Sequence, residues 1–126
     1  MARRVGQWGP VVAYMAVIFY DSSQPALPSF LPDNLSDKLL HIGGYAILGA
    51  LLVRALSDGF RRPLTAAVAV LAIALTTAYG VSDEIHQSFV PPREMDPWDV
   101  VADAVGGTLA AAPLYVWFRL RGGSVR

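Results

Sequence analysis

The chain has 126 residues, 54% hydrophobic and 16% charged, with equal numbers of acidic and basic groups. That composition is too apolar for a soluble domain of this length and points to membrane residence, with residues 1–126 forming a single domain. Zero formal net charge and ten scattered basic residues leave no footprint for nucleic acid, and the absence of cysteine excludes disulfides, thiolate catalysis and thiolate metal sites.

Four apolar runs, approximately 5–20, 39–56, 64–81 and 100–120, each approach the roughly 20 residues that cross a hydrocarbon core of about 30 Å. The expected fold is therefore all-α, a bundle of four transmembrane helices. The first run is the shortest and follows Arg3-Arg4. A cleaved signal peptide over residues 1–26 is the competing reading, set aside because no Ala-x-Ala-like site follows Tyr20. The break from Asp21 to Asn34 is rich in proline and reads as non-helical. A helix beginning near Ser36 then carries Lys38, His41 and Tyr45 at spacings of three and four, so they share one face. Ser57 to Pro63 is a short hairpin loop between the second and third runs. The third run ends in Asp83-Glu84-Ile85-His86-Gln87 and is stopped by Phe89-Val90-Pro91-Pro92-Arg93. Asp96-Pro97-Trp98-Asp99 reads as the last helix start, with Asp96 as N-cap, Pro97 in first position and Asp99 completing a capping box.

The basic residues give the orientation. Arg3 and Arg4 precede the first run, Arg54, Arg61 and Arg62 surround the second break, and Arg119, Arg121 and Arg126 follow the last run, whereas the other two breaks hold only Lys38 and Arg93. This alternation predicts cytoplasmic N- and C-termini and extracytoplasmic acidic loops.

Six of the ten acidic residues lie between Ser82 and Asp103. An ionisable group left unpaired in a low-dielectric site costs several kcal/mol, so such a concentration beside apolar runs marks where function is to be sought. Glu84 and His86 are two residues apart and point away from each other on a helix; Glu84 pairs in phase with Gln87, and Asp83 with His86. The likeness to a zinc-protease helix fails, because that motif needs two histidines four apart. No metal is assigned, although a carboxylate–imidazole site from His41, Glu84 and Asp103 stays open. Asp96 and Asp99 have a capping explanation, whereas Asp103 lies about two turns into an apolar run, where an acid is by default functional or tightly paired. Gly106 and Gly107 let a neighbouring backbone approach closely. Arg93 is the expected counter-charge for the acids, or a grip for a phosphate or carboxylate. Lys38 and His41 also have bland readings, as a snorkelling lysine and an interhelical hydrogen-bonding histidine.

Taken in order, Ser23-Gln24-Pro25, then Asp37-Lys38-Leu39-Leu40-His41 with Tyr45 and Gly49, then Asp83 through Arg93, then Asp96, Asp99, Asp103 and Gly106-Gly107, the chain resembles the VanZ-like family of small bacterial membrane proteins. The resemblance implies a multi-pass protein of the bacterial cytoplasmic (inner) membrane, and carries the family's polar signature onto Lys38, His41, Glu84, Gln87, Arg93, Asp99 and Asp103. Where the family often has asparagine, this chain has Asp103. The resemblance also implies envelope function and an effect on glycopeptide (teicoplanin) susceptibility, without supplying a reaction or a cofactor.

Two functional readings follow. In the first, an outward polar pocket binds or acts on a lipid head group or a cell-wall precursor, with Glu84 and His41 as candidate acid–base groups and Lys38, Gln87, Arg93, Asp99 and Asp103 as substrate-binding groups. The partners are then membrane lipid and a cell-wall precursor or glycopeptide, with oligomerisation compatible. In the second, the same residues form a structural network in a non-catalytic scaffold. Proton or solute conduction through Asp103 and His41 is a third reading, for which four short helices need an oligomer.

Overall fold

The computed structural model describes residues 1–25 and 33–122, with the backbone alone for 33–36. Residues 26–32 of the first predicted break and Arg126 therefore lie outside the described residues, and at the ends of that break Asp21, Ser22, Asp33 and Asn34 are helical where the sequence reading has a loop. Four helices account for nearly all the rest: α1 (Ala2–Ser22), α2 (Asp33–Leu56), α3 (Ala66–Gln87) and α4 (Pro97–Arg121). All four are longer than the apolar runs that predict them, because polar residues continue each helix past its apolar stretch. The structure is all-helical, and α2, α3 and α4 are long and apolar enough to cross a membrane. The equivalent stretch of α1 is interrupted by Gln7, Gly9 and Pro10 and flanked by Arg3 and Asp21.

Local chemistry sets the ends. Thr65 caps α3 by accepting the Val68 N–H at 3.2 Å. Asp96 caps α4 by accepting the Trp98 N–H at 2.9 Å, with Pro97 following. The predicted hairpin loop between α2 and α3 turns through three consecutive left-handed residues, Asp58, Gly59 and Phe60 (φ 53°, 69° and 65°). At Gly59 a Cβ would lie 2.7 Å from Gln7 Nε2, so a side chain here would have to displace the Gln7 amide as well as adopt a left-handed conformation.

Helices α2 and α4 form the most extensive interface, α3 packs on both, and α1 lies on α2 and α3 without touching α4. The α1 stripe is Gln7, Val11, Ile18 and Ser22, spaced for a single buried face. Missing Cβ atoms explain the close approach of the other three helices. A Cβ on Gly49 would lie 3.0 Å from Gly107 Cα, one on Gly107 would lie 3.0 Å from Thr76 Cγ2, and one on Gly106 would strike the Ile42 carbonyl oxygen and lie 2.9 Å from Ala46 N. The expectation that Gly106 and Gly107 admit a neighbouring backbone describes this junction.

The up-and-down arrangement gathers the basic segments at one end. There Arg3 pairs with Asp58 at 3.5 Å and Arg54 donates to the Gly6 carbonyl at 3.2 Å. Arg121 lies 4.1 Å from the centre of the Trp117 ring at the same end of α4. The opposite end carries the acids.

Candidate functional site

At the acidic end, α2 and α4 are joined by two sets of charged contacts. Lys38 Nζ donates to Asp96 Oδ2 at 2.6 Å and also to Asp99. One turn deeper, His41 Nδ1 donates to Asp103 Oδ1 at 2.6 Å, while Nε2 faces Asp99 at 3.6 Å and Asp37 at 3.8 Å. The i, i+3, i+7 spacing of Lys38, His41 and Tyr45 aims all three at this cluster, with the His41 and Tyr45 rings stacked 6.0 Å apart. Asp103 fits only because α3 presents Gly80 to it: a Cβ there would lie 2.9 Å from Asp103 Cβ.

Helix α3 contributes two adjacent acids aimed at different neighbours. Asp83 accepts hydrogen bonds from Ser22 at the end of α1 and from the Tyr45 hydroxyl at 3.0 Å. Glu84 Oε2 accepts the Asp96 backbone N–H at 3.0 Å, and Glu84 Oε1 has no partner among the described residues. Gln87 donates to Ser22 at 3.5 Å. Burial is nearly complete: relative exposure is 5% for Asp83, 2% for Glu84 and Gln87, 3% for Asp99, 0% for Asp103 and 6% for His41.

The arrangement corrects three sequence expectations. Asp83 and His86 do not share a site: Asp83 is buried with Glu84 and Gln87, while His86 is partly exposed and stacks on Phe19 at 4.2 Å. The end of α3 is enclosed by α1, α2 and α4, so more than one of its faces is buried. The capping box closes differently, since the Asp96 N–H goes to Glu84 of another helix and Asp99 is free to take Lys38. Arg93 is not the counter-charge. Its guanidinium donates to the carbonyls of Asp21 at 3.3 Å and Gln24 at 3.4 Å, tying the α3–α4 connection to the end of α1. Lys38 pairs with Asp96 and Asp99 instead, and His41 is hydrogen-bonded to Asp103.

Of the seven predicted residues, Lys38, His41, Glu84, Asp99 and Asp103 belong to one contiguous cluster, and Gln87 and Arg93 stand at its edge. Asp83, Asp37, Tyr45 and Ser22 join them. Asp83 was legible as a buried acid only by recognising that α1, α2 and α4 all pack against this end of α3, leaving Val81, Ser82 and Ile85 as its exposed face. Outside the membrane-length segments, the hydrogen bond from Lys38, then that from the Trp98 N–H, holds the Asp96 carboxyl below the usual carboxylate range.

Two cavities reach the cluster, and Gln87 and Arg93 line both. One, of about 250 Å3, runs between α1, α2 and α3 past Tyr14, His41, Tyr45 and Asp83. The other, of about 360 Å3, opens at the end of the bundle beside Asp37, Glu94, Asp96 and Asp99. A larger cavity of about 550 Å3 lies at the basic end against Leu64, Tyr115, Phe118 and Arg119, with no comparable group of titratable side chains.

Membrane-length helices enclosing a buried carboxylate–imidazole cluster define a helical membrane protein with a polar interior site at one end. The VanZ/LLP1 family model matches residues 8–119, and the chain belongs to that family. It is a VanZ-like membrane protein. No curated protein and no solved structure matches it.

Proposed function

We propose that this VanZ-like protein sits in the bacterial cytoplasmic membrane with four spans, both termini inside and the acidic end outside. There it binds the head group of a membrane lipid or a cell-wall precursor, with an effect on teicoplanin susceptibility. The charge asymmetry between its ends supports the orientation. The observation that carries the binding reading is that two cavities reach the buried polar cluster, one lined by His41 and Asp83 and the other by Asp99, with Arg93 and Gln87 lining both. Their volumes suit a head group rather than a whole lipid. Glu84→Gln and His41→Phe should abolish the change in lipid profile or resistance while membrane abundance stays normal; unchanged phenotypes would overturn the reading. Because the chain has no cysteine, single cysteines placed near Asp58 and Glu94 test sidedness directly by labelling intact cells. Labelling near Asp58 alone would reverse the orientation.

A second reading, a scaffold held together by its polar network, is favoured by the double pairing of Lys38 and by the use of Arg93 to fasten a connection to α1. Under it the same substitutions lower protein level or thermal stability before they alter any phenotype.

A further inference from the structure

We propose that His41, Asp83 and Glu84 bind a divalent metal ion of the Zn2+ or Mn2+ class. One ligand atom from each lies within 4.8 Å of the others, and all three residues are buried. Bonds of about 2.0–2.2 Å need these atoms closer, a gap that small side-chain rotations close. The independent observation is Glu84 Oε1, a carboxylate oxygen on a side chain 98% removed from solvent that no donor among the described residues satisfies. A buried acceptor of that kind calls for a cation or a proton. Asp103 supplies the orientation seen behind metal-binding histidines: it accepts from Nδ1 at 2.6 Å, which fixes the ring and leaves Nε2 as the donor lone pair. Asp99 and Asp37, at 3.6 and 3.8 Å from Nε2, form a second set of carboxylates around the same histidine. The donor set, one imidazole with carboxylates, favours Zn2+ or Mn2+ over Mg2+ or Ca2+.

Charge balance points the same way. Among the described residues, Lys38 serves Asp96 and Asp99, a neutral His41 gives Asp103 a hydrogen bond without a charge, and Asp83 and Glu84 have only neutral donors. The metal also gives an acid-rich pocket the means to hold an anionic head group. The inference rests on the same pocket as the proposed function but not on its ligand.

The test is titration of the full chain in lipid nanodiscs, stripped with chelator, with Zn2+, Mn2+, Mg2+ and Ca2+, together with elemental analysis. We expect one Zn2+ or Mn2+ per chain, bound at least about tenfold more tightly than Mg2+ or Ca2+. Glu84→Gln and His41→Phe should each weaken binding by about tenfold or more, Asp103→Asn by about 10- to 100-fold, and His86→Ala not at all. Absence of stoichiometric binding in the unaltered chain, full affinity in Glu84→Gln, or loss in His86→Ala would overturn the site. Pulsed electron paramagnetic resonance of the Mn2+-loaded His86→Ala chain, whose one imidazole is His41, reads the ligand directly: imidazole nitrogen coupling supports the site and its absence rejects it. These measurements read metal and not head-group binding, and the head-group reading does not require a metal, so a negative result leaves it standing, and a lost lipid phenotype leaves metal binding intact.

Discussion

The two halves of the α2–α3–α4 interface are built on opposite principles. Midway along the bundle the helices meet through absent side chains, Gly49 on Gly107, Gly107 on Thr76 and Gly106 on Ile42, where contact is van der Waals and nothing is charged. One turn towards the acidic end the same helices meet through His41, Asp83, Glu84, Asp99 and Asp103. The first half makes the second feasible. Gly106 lets the α4 backbone lie against Ile42, next to His41, and Gly80 opens the space that Asp103 fills. Glycine packing therefore places the polar groups, and the polar groups are where specificity resides.

The comparison breaks most visibly if one member of the deepest pair is removed. His41→Ala or Asp103→Ala leaves an unpaired group in a fully buried position and should cost about 3–5 kcal/mol in detergent unfolding. The double change to leucine should cost less than either single one. If the double variant loses the sum of the two, the pair is not acting as a unit. Lys38→Met comes next. It strips a charged donor from buried Asp99 and half-exposed Asp96, with a loss of about 1.5–3 kcal/mol by the same measurement. In the glycine half, Gly106→Ala drives a methyl into the backbone of α2 and should cost about 1–3 kcal/mol. Gly43→Ala on the same interface partner, where nothing lies within 4 Å, should cost nothing. Equal losses at Gly106 and Gly43 would mean that close approach does not decide, since helix propensity favours alanine over glycine at both positions.

How much of this was legible in the sequence follows from which interactions are local. Helix positions, the Asp96–Pro97 start, the Gly106–Gly107 contact and the shared face of Lys38, His41 and Tyr45 depend on spacing along one helix, and all were readable. The membrane reading came from composition. The partners were not readable, because they are set by how helices dock. Asp99 had a sufficient local explanation as a first-turn acid, yet it carries Lys38; Asp83 was assigned to the face of His86, yet it faces Tyr45 and Ser22. Arg93 was matched to the acids by charge alone, and backbone carbonyls of α1 hold it instead. Opposite charge in sequence proximity is a weak guide where a turn intervenes.

The smallest expected effect lies at Asp96, and it tests whether burial grades the acidic end. Its carboxylate accepts from Lys38 at 2.6 Å and from the Trp98 N–H at 2.9 Å, but its side chain is 42% exposed. With its folded value held below the usual carboxylate range by Lys38 first and Trp98 second, the contact stabilises the protein at all pH values above about 4. That contribution disappears as pH falls through the lowered value. Asp96→Asn keeps the cap and the backbone N–H to Glu84 while deleting the charge, since asparagine caps as well as aspartate. It should therefore change stability little at neutral pH, because exposed ion pairs are weak, and remove part of the acid-induced loss below about pH 4. A loss at neutral pH as large as that of His41→Ala would show that the outer Lys38–Asp96 contact, and not the buried His41–Asp103 pair, holds this end of the bundle together.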